Sequence, residues 1–200
     1  MASDIDICNS ALIKLGVEPI VSFGDDSKEA RLCKEQYPKI RDCMLESHPW
    51  NFAMKRSSAL AESATLPNFG FSISYVLPSD CLRVWHLNVK TARFKVEKGR
   101  LLNTDLSGAF MLYICREEDV SKFSSQFKEA LAYKIAVDLG YSLIQSSSVI
   151  EKLNRKADIV LRDARSFDGQ EGSNDHLMSD EWLNSRFNRN LEGFRTDEQI

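Results

Sequence analysis

Two hundred residues, 43% hydrophobic and 28% charged, are the numbers of a globular chain able to bury one core of ordinary size. A net charge of −3 excludes general attraction to nucleic acid or to an acidic membrane. No apolar run approaches the ~18 residues of a membrane span, and the N-terminus lacks the basic-then-apolar pattern of a secretory signal. The chain is therefore expected to be made and kept in a cytoplasm, or released only by lysis.

Ser3 and Asp6 can cap a first helix carrying Ile5, Cys8, Ala11, Leu12 and Leu15 on one side, with Gly16 as its C′ residue. A loop with its turn at Gly24 follows. Ala30, Cys33, Tyr37, Ile40 and Met44 then recur at 3-4-3-4 spacing, the pattern of one helical face. Asp26 and Glu29 read as its capping box, and Pro38 is expected to kink or break it. Pro49 pushes His48 out of the α region, so the helix should stop by Ser47. Beyond it Trp50, Phe52 and Met54 alternate with Asn51, Ala53 and Lys55, which predicts a strand with one buried face. Trp50 and Phe52 are expected to be core residues where helix meets sheet.

Ser57–Pro67 is small and polar, a predicted loop. Phe69, Phe71, Ile73, Tyr75 and Leu77 alternate cleanly with smaller residues and predict a strand. Pro78-Ser79-Asp80 reads as a turn, Cys81–Leu87 as a strand, and residues 92–102 as a hairpin turning at Gly99. Gly108–Cys115 is a continuous apolar run, expected to lie centrally with both faces covered.

Ser124 or Ser125 opens a helix built on Phe127, Leu131, Ile135, Val137, Leu139 and Leu143 and expected to be buried on much of its circumference. Ser148 and Glu151 read as a capping box for the next, whose stripe is Ile150, Leu153, Ala157, Val160, Leu161 and Ala164. After Phe167 the composition turns polar with scattered aromatics, a segment not expected to fold by itself.

The expected fold class is α+β. About four helices form a bundle, a small antiparallel sheet or sandwich is inserted, and an extended C-terminal arm follows. The expected parts are a helical hairpin with the first strand (1–56), the β insertion (57–120), a second helical hairpin (121–168) and the arm (169–200).

The order of these pieces, with their local wording, resembles the tail tubular protein A family, the head-to-tail adaptors of short-tailed phages. The likeness covers residues 4–170. It rests on Ala11-Leu12-Ile13-Lys14-Leu15-Gly16, His48-Pro49-Trp50-Asn51-Phe52-Ala53, and the run from Tyr75 to Val84. The Phe94–Glu97 hairpin strand and Ala164-Arg165-Ser166-Phe167-Asp168 add to it. The resemblance implies a ring, of twelve subunits by family analogy, seated in the virion between the portal protein and the tail nozzle (tail tubular protein B). A tail fibre is a further candidate neighbour. DNA would pass through the lumen without sequence-specific binding, and no membrane is involved.

No catalytic motif competes with that reading. The five cysteines are odd in number and include no CxxC pair, which fits free thiols. His48, His86 and His176 lack metal-ligand spacing, and there is no P-loop, GxGxxG, GxSxG or HExxH. Neither Asp25-Asp26 nor Glu117-Glu118-Asp119 is marked as the carboxylate pair of a glycosidase; the first is expected to cap a helix, the second to lie in a loop. A non-enzyme without cofactor or metal is expected, the alternative being a carbohydrate-degrading, tail-associated hydrolase. Two docking features stand out. Lys152, Arg155, Lys156, Arg162 and Arg165 form a basic helix face suited to an acidic neighbour. Trp182, Phe187 and Phe194 sit among polar residues, as anchors that order on a partner do.

Overall fold

Polar caps fix where the helices begin in the computed structural model, which describes residues 3–99, 101–144 and 146–171. Helix α1 (Asp4–Leu15) starts with a reciprocal box, in which the Asp6 amide donates to Ser3 Oγ (3.2 Å) and the Ser3 amide to Asp6 Oδ2 (2.7 Å). It ends at Gly16 in the left-handed region (φ 73°), a conformation that penalises any Cβ. Helix α2 (Lys28–Ser47) is capped by Ser27, whose Oγ accepts from the Ala30 amide, and not by the expected Asp26–Glu29 box. Asp26 pairs instead with Arg31 at the surface, while Asp25 Oδ2 accepts from the Val21 and Ser22 amides and closes the loop ahead of the helix. Pro38 does not divide α2, which is one helix of 20 residues.

Helix α3 (Ser125–Leu143), capped by Ser124, is buried at Phe127, Ala130, Leu131, Ala132, Ile135, Ala136, Leu139 and Gly140. It is the central rod of the helical layer, packed on both α1 and α2. Helix α4 (Ser147–Gln170) begins before the expected Ser148–Glu151 box, and Glu151 pairs with Arg155 on the solvent side. It lays Ile150, Ala157 and Ala164 inward, with Leu153, Val160 and Leu161 partly buried against the same core. A Cβ at Gly140 would stand only 3.0 Å from Ile150 Cγ1, so the missing side chain is what lets α4 approach α3 there.

The stretch after α2 departs from the expected strand. Asn51–Ala53 is a turn of 3-10 helix, and the strand β1 is only Met54–Arg56. Six residues of alternation fit both a strand and a tight turn, and tertiary packing selects the turn that buries Trp50 and Ala53 together. The next expected strand is also shorter: β2 is Ile73–Val76, and Phe69 is 88% exposed. Strands β3 (Cys81–Leu87), β4 (Phe94–Glu97), β5 (Leu101–Thr104) and β6 (Met111–Cys115) follow. The β4–β5 hairpin turns through Lys98 (φ 50°) and Gly99 (φ 71°), both with positive φ.

The six strands form two antiparallel sheets, ordered β1-β6-β3 and β2-β5-β4. The second sheet, the first sheet and the helices stack as three layers. Strand β6 is the shared wall. Its Met111, Tyr113 and Cys115 enter the core between the sheets, while Ile114 enters the helical core. In β3, register shifts at Leu82 and Trp85 keep Cys81, Val84 and Leu87 on the inter-sheet side, opposite Cys115, Tyr113 and Met111. The expected α+β class is what the chain adopts, with the β insertion folded as a sandwich. This compact body ends at Asp168; residues 169–200 make a second unit, of which only 169–171 are described.

Candidate docking surfaces and the helix–sheet joint

The joint is built around Trp50. Its ring is fully buried, edge-on to Phe127 at 4.9 Å, and its Nε1–H donates to the Met44 carbonyl (3.0 Å), an acceptor left over at the end of α2. Phe52, partly buried, stacks on Trp50 and meets Phe123 and Phe127 at 5.3 and 5.0 Å. Trp50 is thus a core residue, whereas Phe52 packs against that core and stays partly exposed.

Asp168, which by composition opens the polar tail, is part of this joint. It is buried; its Oδ1 accepts from the Asn51 amide (2.9 Å), its carbonyl from Asn51 Nδ2 (2.6 Å), and Oδ2 lies 3.2 Å from His48 Nε2. The last turn of the body is thereby latched to residues 120 positions earlier. Burial lowers the His48 imidazole below its ordinary value, against the pull of Asp168 and with the help of the Arg165 and Arg83 charges. The unfolded chain therefore takes up this proton before the folded one. The stability held by neutral His48 is present above about pH 6.5 and is lost as pH falls below it. Melting temperature should fall between pH 7 and pH 5.5, and a His48→Gln variant should show a shallower slope. An identical slope would mean that His48 does not carry it.

On the basic face, Lys152, Arg155, Lys156 and Arg162 are exposed. Arg165 does not belong with them. It is half-buried, turned toward the end of α2, where Nη2 donates to Ser47 Oγ (3.1 Å), and its buried Nε–H has no acceptor among the described residues. That inward turn depends on Ser47, which helical periodicity alone does not reveal.

Beside Arg165 a groove of about 600 Å³ runs between α2, α3 and α4. Its floor and walls include Ile40, Cys43, Val137, Tyr141 and Leu161, and Lys39 and Lys134 stand at its edge with Asp138. Tyr141 is 68% exposed. The sequence held a signal for this groove, a second apolar stripe on α3 through Val137 and Tyr141.

The acidic clusters have structural partners. Glu117 pairs with Lys122 (2.7 Å), Glu118 with the buried Arg41 (3.2 Å), and Asp119 accepts from the Ser121 amide and hydroxyl. Arg41 also pairs with Asp42, which in turn holds Arg116 at 2.7 Å, so this network ties α2 to the chain leaving β6. A second polar group lies where β1, β6 and the 78–80 turn meet. Lys55 Nζ sits 2.8 Å from Asp80 Oδ2, and Tyr113 Oη donates to the same carboxylate at 3.1 Å. Burial pushes the Tyr113 phenol up to about 12, and the Asp80 hydrogen bond raises Lys55. Burial opposes ionisation of Asp80, but bonds from Lys55 and Tyr113 outweigh it and hold its carboxyl low. Each shift favours the state already present at neutral pH, as in a structural ion pair; an acid–base catalyst needs the reverse.

Among the described residues, no three His, Cys, Asp or Glu side chains are grouped to hold a metal, and no helix is long and apolar enough to cross a membrane. The described cysteines are free thiols. The predicted anchors Trp182, Phe187 and Phe194 lie outside the described residues. No family model matches the chain, and no curated protein matches it at a significant level.

Proposed function

We propose that the chain is a structural head-to-tail adaptor of a short-tailed phage, a ring subunit between portal and tail nozzle through whose bore the genome passes. One observation carries this reading. The stretches His48–Ala53 and Ala164–Asp168, two of those that carry the family resemblance, meet each other across 120 positions at the Asp168 latch. A shared local wording is expected where it encodes a shared joint, and these residues build the joint between helices and sheet. In this reading the protein is a non-catalytic virion component made in the bacterial cytoplasm. The exposed Lys152, Arg155, Lys156 and Arg162 dock an acidic neighbour, and Trp182, Phe187 and Phe194 anchor the arm on a partner.

Reversing the basic face, with Lys152, Arg155, Lys156 and Arg162 all replaced by Glu, should leave the melting temperature within about 2 °C, since exposed charges contribute little to the fold. Assembly should weaken sharply and lose its salt dependence. Unchanged assembly would remove the docking role. The reading as a whole is tested by negative-stain microscopy and static light scattering of the full chain, alone and with portal assemblies of its own phage. Rings with an axial hole are expected. A compact monomer that ignores the portal and degrades capsular polysaccharide would overturn the proposal in favour of the hydrolase.

A further inference from the structure

The groove between α2, α3 and α4 is a surface in search of an occupant. Its walls are apolar at Ile40, Val137, Tyr141 and Leu161, yet Lys39 and Lys134, paired with Glu35 and Asp158, also line it, and Arg165 carries a guanidinium donor without an acceptor among the described residues. An occupant that fits is an apolar segment with negative charge beside it. The chain contains such a segment beyond the described residues: Asp180-Glu181-Trp182-Leu183, two carboxylates followed by a large aromatic and a branched aliphatic side chain. A groove of about 600 Å³ is in the range that takes a few large side chains.

We infer that the Asp180–Leu183 stretch of one copy docks in the α2–α3–α4 groove of the next copy, resting on the ring reading above. Trp182 and Leu183 cover the apolar walls, and Asp180 and Glu181 face the lysine edge and Arg165. Nine Cα-to-Cα steps, from Glu171 to Asp180, separate the last described position from the start of the segment and can span up to ~30 Å. That reach is about the diameter of a small domain. Arm and groove are different surfaces of the same chain, so the contact is head-to-tail, the kind of interface that closes into a ring.

Cys43, exposed in the groove, supplies the test. Copies carrying Cys43→Ser and Leu183→Cys are mixed with wild-type copies, assembled, and treated with a short bis-maleimide. A covalent dimer of one variant and one wild-type chain is expected. It should disappear when the wild-type partner is replaced by Cys43→Ser, and when Tyr141→Asp places a carboxylate at the apolar wall. Leu183→Cys with Cys43 retained, treated as a dilute monomer, should give no intrachain link; a link found only there overturns docking between copies. Rings seen by microscopy without the mixed dimer overturn the groove assignment and leave the ring standing. Absence of both rings and dimer overturns the two together.

Discussion

Replacing Trp50 by alanine is expected to lower the melting temperature by about 10–20 °C, or to leave the protein insoluble. Deleting a fully buried Trp side chain costs about 3–5 kcal/mol, through lost transfer energy and the cavity left behind. For a chain of this size each kcal/mol corresponds to about 2–4 °C. Three further losses fall in the same place. The edge-on contact with Phe127 goes, the Met44 carbonyl at the end of α2 keeps only its bond from Ser47 Oγ, and the rings of His48 and Phe52 lose a neighbour. Little nearby can move in to fill the gap, because the 3-10 turn from Asn51 to Ala53 is itself shaped around the indole. Thermal denaturation of the variant decides the matter. A melting temperature within about 2 °C of wild type would mean that the joint does not depend on this side chain.

On the adaptor proposal, deleting every residue after Glu171 is expected to leave the melting temperature within about 2 °C of wild type while abolishing incorporation into heads. Ordering some thirty residues costs about 1–2 kcal/mol each in backbone entropy, more than three separated aromatics return without a partner. The segment should therefore contribute to assembly, where many copies around a ring add avidity, and not to the fold of the subunit. The position of the cut matters. A cut after Phe167, which composition alone suggests, also removes Asp168. The Asn51 amide and His48 are then left without their partner in a partly buried site. An unsatisfied buried donor costs about 1–3 kcal/mol, so this shorter chain should melt about 3–10 °C lower. Equal melting of the two truncations would contradict the latch. A chain ending at Glu171 that still seals DNA-filled heads would make the arm dispensable.

The contrast between those two cuts marks what the sequence conveys and what it does not. Local features with a strict residue signature were legible. The Ser3–Asp6 box, the left-handed Gly16, the turn at Gly99 and the apolar strand ending at Cys115 all formed as their residues dictate. So did the overall class, because long amphipathic stretches alternated with short period-two ones. Features set by distant partners were hidden. Asp168 reads as the first residue of a polar tail until Asn51 and His48 come into view. Arg165 reads as one more exposed cation until Ser47 does. Phe69 and Phe71 belong to a clean alternation, yet β2 forms only from Ile73 to Val76, where β5 supplies hydrogen-bond partners. In β3 the two bulges break the alternation that its buried residues would otherwise show.

The double allegiance of strand β6 bears on how the molecule comes apart. Tyr113 and Ile114 are adjacent in the chain, yet their side chains belong to separate cores, and their backbones are paired on both sides by β1 and β3. Peeling the outer sheet away would expose one face of β6, and withdrawing the helices would expose the other. Neither core is complete without β6, which gives Ile114 to the helical core and Met111, Tyr113 and Cys115 to the one between the sheets. Partial opening should therefore be confined to the hairpin tip at Lys98–Gly99 and the long 63–72 connection. The amides of β6 should exchange with solvent only when the whole body unfolds. In the ring proposed above, such a strand would make the body respond to load as one piece.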